Sequence, residues 1–427
     1  MLYFVTGAKG TSQLTIADTM KARVIYNGQG KHFKSAKLER DKFLPTMTTI
    51  FMMTRWFGIP TYGGSIFLYW TLITLTMLTA IEAAAIWKLV RLLTGTAPNN
   101  SSGQVMARLS GLIFYGNALL SLILSWRFVK KWKILSIDWL RSETGEINFP
   151  PDTTIRKRVM IVITFVALFA IAEHTFSIIS ATGLDCPADE FFERYILSSH
   201  GFLLKTYEYT LWLAIPIFIM SKSATILWNF QDLIIILISM GLTSRYYRMN
   251  SFVKYVIRYE KRAGKGKKFG NDYCFQANTW CRIRQAYVQQ AALVRKIDED
   301  LGPLVFLSNL NNLYFICLQL FLGIRRIDGT LINKVYYFFS LGWLILRASS
   351  VVLSAADISL HSKRALPYLH SCPSSAYNIE IKRLKDQLNH DVIVLSGMGY
   401  FYLDRQKLLQ VAAVIVKYEL ILLQYDN

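Results

Sequence analysis

Residues 65–89 read SIFLYWTLITLTMLTAIEAAAIWKL, an apolar run in which Glu82 and Lys88 are the charged residues. A helix of about 20 apolar residues crosses the hydrocarbon core of a bilayer, which is roughly 30 Å thick. The length and composition of this run therefore predict a transmembrane helix.

Further apolar blocks follow the first one and have similar lengths. The predicted second to seventh spans are residues 105–126, 159–182, 201–247, 301–324, 334–358 and 403–425. The fourth block is too long for one simple crossing and too short for two crossings with a loop. We therefore predict one long fourth helix that protrudes from the membrane, with a kink at Pro216. The fold class is an all-α membrane protein with seven transmembrane helices.

The basic residues lie between the apolar blocks and predict the orientation of the chain. The formal net charge is +20, yet this distribution argues against nucleic-acid binding, because cytosolic loops of membrane proteins carry the same Lys and Arg excess. Lys and Arg dominate the N-terminal segment and the connections after spans two, four and six. This pattern places the N-terminus in the cytosol and the C-terminus outside, which is the reverse of a G-protein-coupled receptor.

The segments between the spans complete the predicted organisation. Residues 1–64 form a cytosolic N-terminal segment, residues 65–358 hold helices one to six, residues 359–402 form a cytosolic anchor segment, and residues 403–427 form helix seven. Within the anchor segment, residues 374–389 predict an amphipathic helix with apolar Ile379, Ile381, Leu384 and Leu388.

A basic loop is expected at residues 127–158. Asn99 and Asn100 are overlapping glycosylation sequons in an outer loop. The five cysteines lack zinc spacing, and no cofactor or metal is predicted.

Short motifs in the second half of the chain resemble one family. Residues 414–425, VIVKYELILLQY, place Tyr418 and Gln424 at the Tyr and Gln positions of the C-terminal motif of insect gustatory receptors. Glu419, directly after Tyr418, is similar to the sugar-receptor branch, whereas Lys417 departs from the usual Thr. Weaker matches are Trp228–Asp232, Gly241–Arg245 and Asn311–Cys317. The resemblance covers roughly residue 195 to the end.

The resemblance implies a sugar-gated, nonselective cation channel for sweet taste in the plasma membrane of gustatory neurons. It implies a homo- or heterotetramer of subunits of this family around a central pore lined by helix seven. The cytosolic ends of helices four to seven would hold the subunits together. A mono- or disaccharide would enter from outside, membrane lipid would surround the helices, and nucleic acid is not an expected partner.

Three residues of the last span are candidate pore residues. A lone amide in an apolar helix is costly when it faces lipid, so Gln424 would line a water-filled path. Ile421 and Tyr425 are four residues apart, share one face, and could close the pore as an apolar constriction by dewetting. Alternatively, Gln424 bonds a neighbouring helix. Lys417 and Glu419 either tune cation entry or form a structural pair.

Sugar sites combine aromatic rings that stack on C–H faces with a few hydrogen-bonding groups. Glu208 and Trp212, four residues apart, predict a clamp on one face of helix four. Alternatively, the ionisable groups hold the bundle together, for example by pairing Glu173 with Arg108, and His174 is a structural histidine. Glu82 is a further ionisable residue in the outer half of the predicted bundle. The ligand candidates are Arg108, Tyr115, Glu173, Glu208, Trp212, Gln319, Trp343 and Arg347.

Two other membrane functions remain open, and an enzyme is not expected. A seven-helix G-protein-coupled receptor would carry Asp-Arg-Tyr after span three and Asn-Pro-x-x-Tyr in span seven, and neither motif is present. A secondary transporter would show paired halves or helices broken at corresponding positions. An enzyme would show a nucleophile, a base and an orienting group at readable spacing.

Overall fold

The computed structural model describes residues 42–61, 65–95, 102–143, 147, 149–263, 277–325, 330–374 and 377–425. The regular secondary structure in these ranges is helical, with short 3-10 turns at Arg55–Phe57 and Thr206–Glu208. The helices are α1 Phe43–Thr54, α2 Ser65–Leu93, α3 Ser102–Glu143, α4 Ile155–Thr182, α5 Phe191–His200, α6 Leu211–Ala263, α7 Ala277–Arg325, α8 Leu331–Ser362, α9 Leu366–His370, α10 Ile379–His390 and α11 Arg405–Tyr425.

Six of these helices are long and apolar enough to cross a membrane: α2, α3, α4, α6, α7 and α8. Five of them contain their predicted span in full, and α6 contains the fourth predicted span from Leu211 onward. α11 occupies the position of the predicted seventh span, and its 21 residues extend over about 31 Å, the thickness of the hydrocarbon core. The predicted all-α membrane fold is confirmed.

Three of the helices continue far beyond the apolar blocks that predicted them. α3 has 42 residues, α7 has 49 and α6 has 53, so α6 is about 80 Å long. The predicted basic loop is therefore wrong over residues 127–143, which continue α3 as helix. Hydropathy reports where a helix leaves the lipid, and a helix packed against its neighbours continues past that point.

The predicted start of the fourth helix is also wrong. The helix begins at Leu211, and residues 201–210 form a separate connection that follows the short helix α5. Leu203 and Leu204 are buried in this connection, which explains why its sequence resembles a membrane span. Pro216 lies inside α6, in its second turn.

α6 is the central helix of the bundle. It packs against α3, α4, α7 and α8, and its residues Ile234, Ile235, Leu237 and Ile238 point in different directions and are all buried. A helix that is apolar on all sides is typical of the middle of a bundle. α2, in contrast, exposes Ile66 and other apolar side chains, as expected for a peripheral helix in contact with lipid.

An aromatic cluster fixes the N-terminal helix α1 to the membrane bundle. The Phe43 ring stacks on Trp139 of α3 with centroids 4.8 Å apart, and the Phe51 ring meets Trp132 edge-on at 5.2 Å. Gly241 of α6 makes room for Phe43, because a Cβ atom at Gly241 would lie 2.3 Å from the Phe43 ring. The end of the N-terminal segment is thus a packed helix.

The extensions of the helices beyond their apolar blocks are joined by charged pairs and by α10. Arg248 of α6 binds Glu143 of α3 at 2.9 Å, and Arg284 of α7 binds Glu380 of α10 at 2.7 Å. The amphipathic helix is confirmed as α10, with Ile381, Leu384 and Leu388 buried. Ile379 is the exception, because it is 58% exposed at the first position of the helix.

A tight turn fixed to α7 precedes the last helix. The backbone N–H and the hydroxyl of Ser396 donate to the Asp298 carboxylate at 2.6 and 2.7 Å. The N–H of Leu403 donates to the carbonyl of Leu395 and closes the turn. Gly302 of α7 permits this approach, because a Cβ atom there would lie 3.2 Å from the backbone nitrogen of Met398. The start of α11 is therefore held directly by α7.

Candidate functional site

Three helices meet through hydrogen bonds in the half of the bundle that the sequence predicts to face the outside, which we call the outer half. The amide of Gln319 on α7 donates to the hydroxyl of Ser340 on α8 at 3.0 Å, and that hydroxyl donates to Glu173 of α4 at 2.6 Å. We call Glu173, Gln319, Ser340 and Trp343 the outer site. The structure thus brings together three of the predicted ligand residues, and Ser340 is the one that sequence reasoning missed.

An aromatic wall adjoins the outer site. The indole of Trp343 packs on the Phe169 ring at 5.1 Å, and Phe169 stacks on Phe339 at 5.8 Å with the ring planes 10° apart. Trp343 is 3% exposed, and its indole N–H and the side-chain carbonyl of Gln319 have no hydrogen-bond partner in the described part of the chain. Flat apolar rings beside unused hydrogen-bonding groups suit a ligand with C–H faces and hydroxyls.

A second polar group lies beside α5. The Lys222 ammonium donates to the Tyr195 hydroxyl at 2.6 Å and lies 4.7 Å from the centre of the Tyr195 ring. Tyr115 and His200 are both buried, and the centres of their rings lie 6.3 Å apart. The Tyr115 hydroxyl and the two His200 nitrogens have no hydrogen-bond partner among the described residues. The charge of Lys222 also acts on His174. We call Tyr115, His174, Tyr195, His200 and Lys222 the histidine cluster.

Burial keeps His200 neutral, and electrostatic interactions connect the outer site with the histidine cluster. Burial, followed by the charge of Lys222, lowers the pKa of His200 to about 4, so the ring is neutral at pH 7. Tyr336 of α8 interacts electrostatically with both Tyr195 and Glu173. The outer site and the histidine cluster are therefore neighbours. An ionisable residue in an apolar block was the available signal for Lys222.

A buried ion pair lies deeper in the bundle. The Arg347 guanidinium of α8 binds the Asp232 carboxylate of α6 at 2.8 Å, and the two side chains are 3% and 0% exposed. Arg347 also donates to Asn229 at 2.7 Å and lies 4.4 Å above the Trp228 ring. We call Trp228, Asn229, Asp232, Ser308, Asn312 and Arg347 the central hub. The sequence predicted Arg347 as a ligand contact, and the structure places its guanidinium on protein groups.

The remaining ligand candidates lie at the outer end of the bundle, in a different arrangement from the one predicted. Glu208 pairs with Lys88 of α2 at 2.7 Å, and Arg108 donates to the carbonyl of Lys88. The suggested pairing of Arg108 with Glu173 is therefore wrong. The hydrogen bond from Lys88 is the main cause that lowers the pKa of Glu208.

The predicted clamp is also wrong in its geometry. Glu208 belongs to a 3-10 turn before α6, so Glu208 and Trp212 do not share a helix face. Trp212 is 90% exposed on the surface of the chain. Of the two remaining ionisable candidates, Glu82 packs beside Gly116 of α3, and the Nε2 atom of His174 is buried without a partner among the described residues.

The last helix lies at the edge of the bundle. α11 packs against α7 and α8, and Arg405 at its start binds Asp357 of α8 at 3.1 Å. Along its described side chains, Leu409 is 73% exposed and Val416 is 57% exposed. The candidate pore and motif side chains lie outside the described residues, as do both sequons: Tyr418, Glu419, Ile421, Gln424, Tyr425, Asn99 and Asn100.

This helical bundle, with a polar site in its outer half and a last helix at its edge, is that of a multi-pass membrane protein. The family model described as trehalose receptor matches residues 70–427. The chain therefore belongs to this family, the sugar-receptor branch of the insect gustatory receptors. The predicted resemblance is confirmed.

Two relatives from Drosophila melanogaster illustrate the similarity. Gustatory receptor for sugar taste 64a is 29% identical over 329 residues, which cover 74% of this chain and 69% of the relative. Gustatory receptor 5a for trehalose is 28% identical over 314 residues, which cover 72% of this chain and 67% of the relative. These relatives are receptors, in agreement with the expectation that the chain is not an enzyme.

A solved structure shares the fold. The insect olfactory receptor OR5 from Machilis hrabei in complex with eugenol superposes with a TM-score of 0.66 at 12% identity. The alignment covers 90% of this chain and 100% of that receptor. At this identity the similarity shows the fold alone.

Proposed function

We propose that the chain is a sugar-gated, nonselective cation channel for sweet taste in the plasma membrane of gustatory sensory neurons. It works as a homo- or heterotetramer with a central pore lined by α11. The observation that carries this proposal is the position of α11, an apolar helix at the edge of the bundle with exposed Leu409 and Val416. Identical helices from neighbouring subunits would cover these side chains.

The pore is formed by the outer end of α11 in this proposal. Four copies of Gln424 present amide groups to a water-filled axis, where they meet permeating cations. Ile421 and Tyr425 lie on the flanks of Gln424 and form the apolar constriction of the closed state. Cytosolic contacts of the anchor segment hold the four subunits together.

The sugar binds in the outer site and reaches the adjoining histidine cluster. Trp343 and Phe169 offer ring faces, while Gln319 and Ser340 offer hydrogen bonds to hydroxyls. The buried groups without partners among the described residues supply further donors and acceptors, which are expensive to leave unpaired. This chemistry suits a mono- or disaccharide. Arg108 and Glu208 hold the outer connections in place.

The route from the site to the pore runs through α7 and α8. Gln319 and Ser340 belong to these two helices, and α11 packs on the same two helices. A sugar opens the pore only if it binds the open arrangement more tightly than the closed one. We propose that closure of the outer site around the sugar shifts α7 and α8 and moves α11 away from the axis.

Current recording tests the proposal. The chain is expressed alone and with a second sugar receptor of the family, and excised patches are perfused with a panel of mono-, di- and trisaccharides. We expect cation current in response to at least one sugar, without nucleotide or G protein. Gln424→Leu should reduce single-channel conductance at unchanged sugar sensitivity.

Other outcomes would point to the alternatives. Saturable sugar uptake without current would indicate a transporter. A response that requires a G protein and disappears in excised patches would indicate a G-protein-coupled receptor. An epitope tag at the N-terminus that is accessible in intact cells would contradict the orientation on which the pore assignment depends.

A further inference from the structure

The central hub joins three membrane helices through one guanidinium. Arg347 belongs to α8, its partners Asp232 and Asn229 belong to α6, and Ser308 and Asn312 of α7 complete the group. The amide of Asn312 donates to both oxygens of the Asp232 carboxylate, at 3.3 and 3.2 Å. A change in the position of Arg347 therefore alters its contacts with both α6 and α7.

Arg347 has little capacity left for a ligand. Its Nε atom faces Asp232, its Nη1 atom donates to Asn229, and its Nη2 atom lies 3.5 Å from the Asn312 side-chain carbonyl. Its face covers the Trp228 indole. A buried pair of this kind contributes little net stability compared with apolar residues, but removal of one partner leaves a costly unpaired charge. Its value to the protein is the specific arrangement that it enforces.

The hub is electrostatically connected to the outer site. Glu173 accepts the hydrogen bond of Ser340 in the outer site, and Ser340 and Arg347 lie about two turns apart on the same face of α8. Glu173 is also within electrostatic range of Arg347. Two carboxylates, Asp232 at 2.8 Å and Glu173 at longer range, thus attract one guanidinium. A ligand hydroxyl that bonds Glu173 or displaces Ser340 changes the attraction that Glu173 exerts on Arg347.

We propose that Arg347 and Asp232 are positioning residues that couple the occupied outer site to α7 and α8, and that they do not touch the sugar. In the unliganded arrangement Asp232 holds Arg347 and thereby fixes α8 to α6. Sugar binding at Glu173 and Ser340 changes the attraction of Glu173 for Arg347. The contact between Arg347 and Asp232 then changes, and α8 is able to move relative to α6. This inference rests on the proposed channel function, since the movement of α8 is what reaches α11.

Gating measurements on a graded set of variants test the coupling. Asp232→Asn and Arg347→Gln should each shift the half-maximal sugar concentration by about tenfold, the range typical of coupling between sites. Their single-channel conductance should stay normal. The double variant should be closer to wild type than the sum of the single changes, because both charges are gone. Arg347→Lys keeps the positive charge but lacks the planar guanidinium group that binds several partners at once. It should therefore give an intermediate shift of the half-maximal sugar concentration.

A neighbouring buried residue provides the matched control. Gln231 precedes Asp232 and is fully buried, but its amide donates to Asn117 of α3 at 3.3 Å, away from the hub. Gln231→Leu should keep the wild-type dose–response. Ser308→Ala removes one hydroxyl from Asp232 and serves if the charge variants fail to fold. Wild-type behaviour of both Ser308→Ala and Arg347→Lys would overturn the proposal.

A readout without current separates this inference from the proposed function. Leu409→Cys places a thiol on the face of α11 that neighbouring subunits would cover, so its labelling rate reports movement of α11. The rate is compared with and without sugar, and the receptor without this substitution gives the background from the native cysteines. Sugar should change the rate, and Arg347→Gln should abolish the change. A sugar-dependent rate without any current would remove the channel function and leave the coupling intact. An unchanged rate in Leu409→Cys alone, or a change that survives when Leu409→Cys is combined with Arg347→Gln, would overturn the coupling.

Discussion

At the scale of single residues, several buried polar atoms in the outer half of the bundle have no hydrogen-bond partner among the described residues. Trp343, Gln319, Tyr115 and His200 each contribute at least one such atom. Buried polar groups are normally paired, and each exception needs a physical explanation. Their common location beside stacked aromatic rings is explained by a hydroxyl-rich ligand.

The two candidate tryptophans should therefore behave differently. Trp343→Ala removes a buried ring that stacks on Phe169 and should raise the half-maximal sugar concentration by about tenfold or more. Trp212→Ala removes a ring that is 90% exposed, and the sugar response should stay within about twofold of wild type. Dose–response curves normalised to surface expression measure both. Equal losses in the two variants would contradict the outer site.

His200 should make stability depend on pH in a defined window. Its pKa is about 4, against 6.5 for an ordinary histidine, so the folded state binds fewer protons than the unfolded state between these values. Stability is then constant above pH 6.5 and falls as the pH drops from 6.5 to 4, by about 3 kcal/mol at most.

A matched pair of variants isolates this effect. His200→Phe keeps an aromatic ring among Tyr115, Tyr195 and Phe202 but cannot take up a proton, so thermal stability should depend less on pH between 4 and 6.5. His370→Phe, at an exposed position of α9, should leave the pH dependence unchanged. The measurement is the thermal unfolding temperature of the receptor in nanodiscs. An identical pH profile in wild type and His200→Phe would refute the assignment.

At the scale of elements, amphipathic patterning predicted α10 correctly and failed at its first residue. Leu384 packs into the core, while Ile379 stands at the N-terminus of the helix and faces away. Helical periodicity explains the difference, because residues two positions apart, such as Ile379 and Ile381, lie on opposite sides of a helix. Ile379 therefore belongs to the exposed face of α10.

This difference is measurable as stability. Leu384→Ala should destabilise the protein by about 2–4 kcal/mol, the usual loss for a buried leucine. Ile379→Ala should change stability by less than about 0.5 kcal/mol, as is typical of exposed positions. Thermal unfolding of the two purified variants provides the comparison. A larger loss for Ile379→Ala would place the wrong face of α10 in the core.

The turn before α11 depends on one glycine. Gly302→Leu would push a side chain against the Met398 backbone and detach the turn from α7, with an expected cost of about 1–3 kcal/mol and a smaller maximal sugar current. Gly342→Leu is the control, because a Cβ atom at Gly342 meets nothing within 4 Å. Sugar-evoked current per channel at the surface is the measurement. Normal currents in Gly302→Leu would show that the turn does not transmit movement to α11.

At the scale of the whole molecule, the central position of α6 and the peripheral position of α11 suggest an assembly. α11 is held on one side by α7 and α8, and its described apolar side chains are largely exposed. In a membrane, lipid tolerates such a surface, so exposure alone does not require a partner. The family membership and the polar Gln424 at its outer end favour contact between copies.

The mass of the purified receptor tests this assembly. One chain has a mass of 49.0 kDa, so a homotetramer has four times that mass, 196 kDa. We expect this species in mild detergent, after subtraction of the bound detergent, by light scattering or mass photometry. Leu409→Asp should shift the distribution to smaller species, whereas Leu409→Met should not. A monomer for wild type at micromolar concentration would contradict a stable homotetramer.

The sequence by itself determined the membrane class, the approximate positions of the spans and the family. These follow from properties carried by each segment alone: the apolar length that a bilayer requires, the distribution of Lys and Arg, and the motif around Tyr418 and Gln424. Local composition also predicted several site residues, such as Glu173 and Arg347, because ionisable residues are rare inside apolar spans.

Only the tertiary structure decided which of these residues act together. It joined Glu173 to Ser340 and Gln319, assigned Arg347 to Asp232, and separated Glu208 from Trp212. It also extended α3 and α6 far beyond their apolar blocks. The physical reason is that hydrophobicity reports the solvent of a segment, whereas partners and helix ends depend on contacts between residues that are distant in the chain.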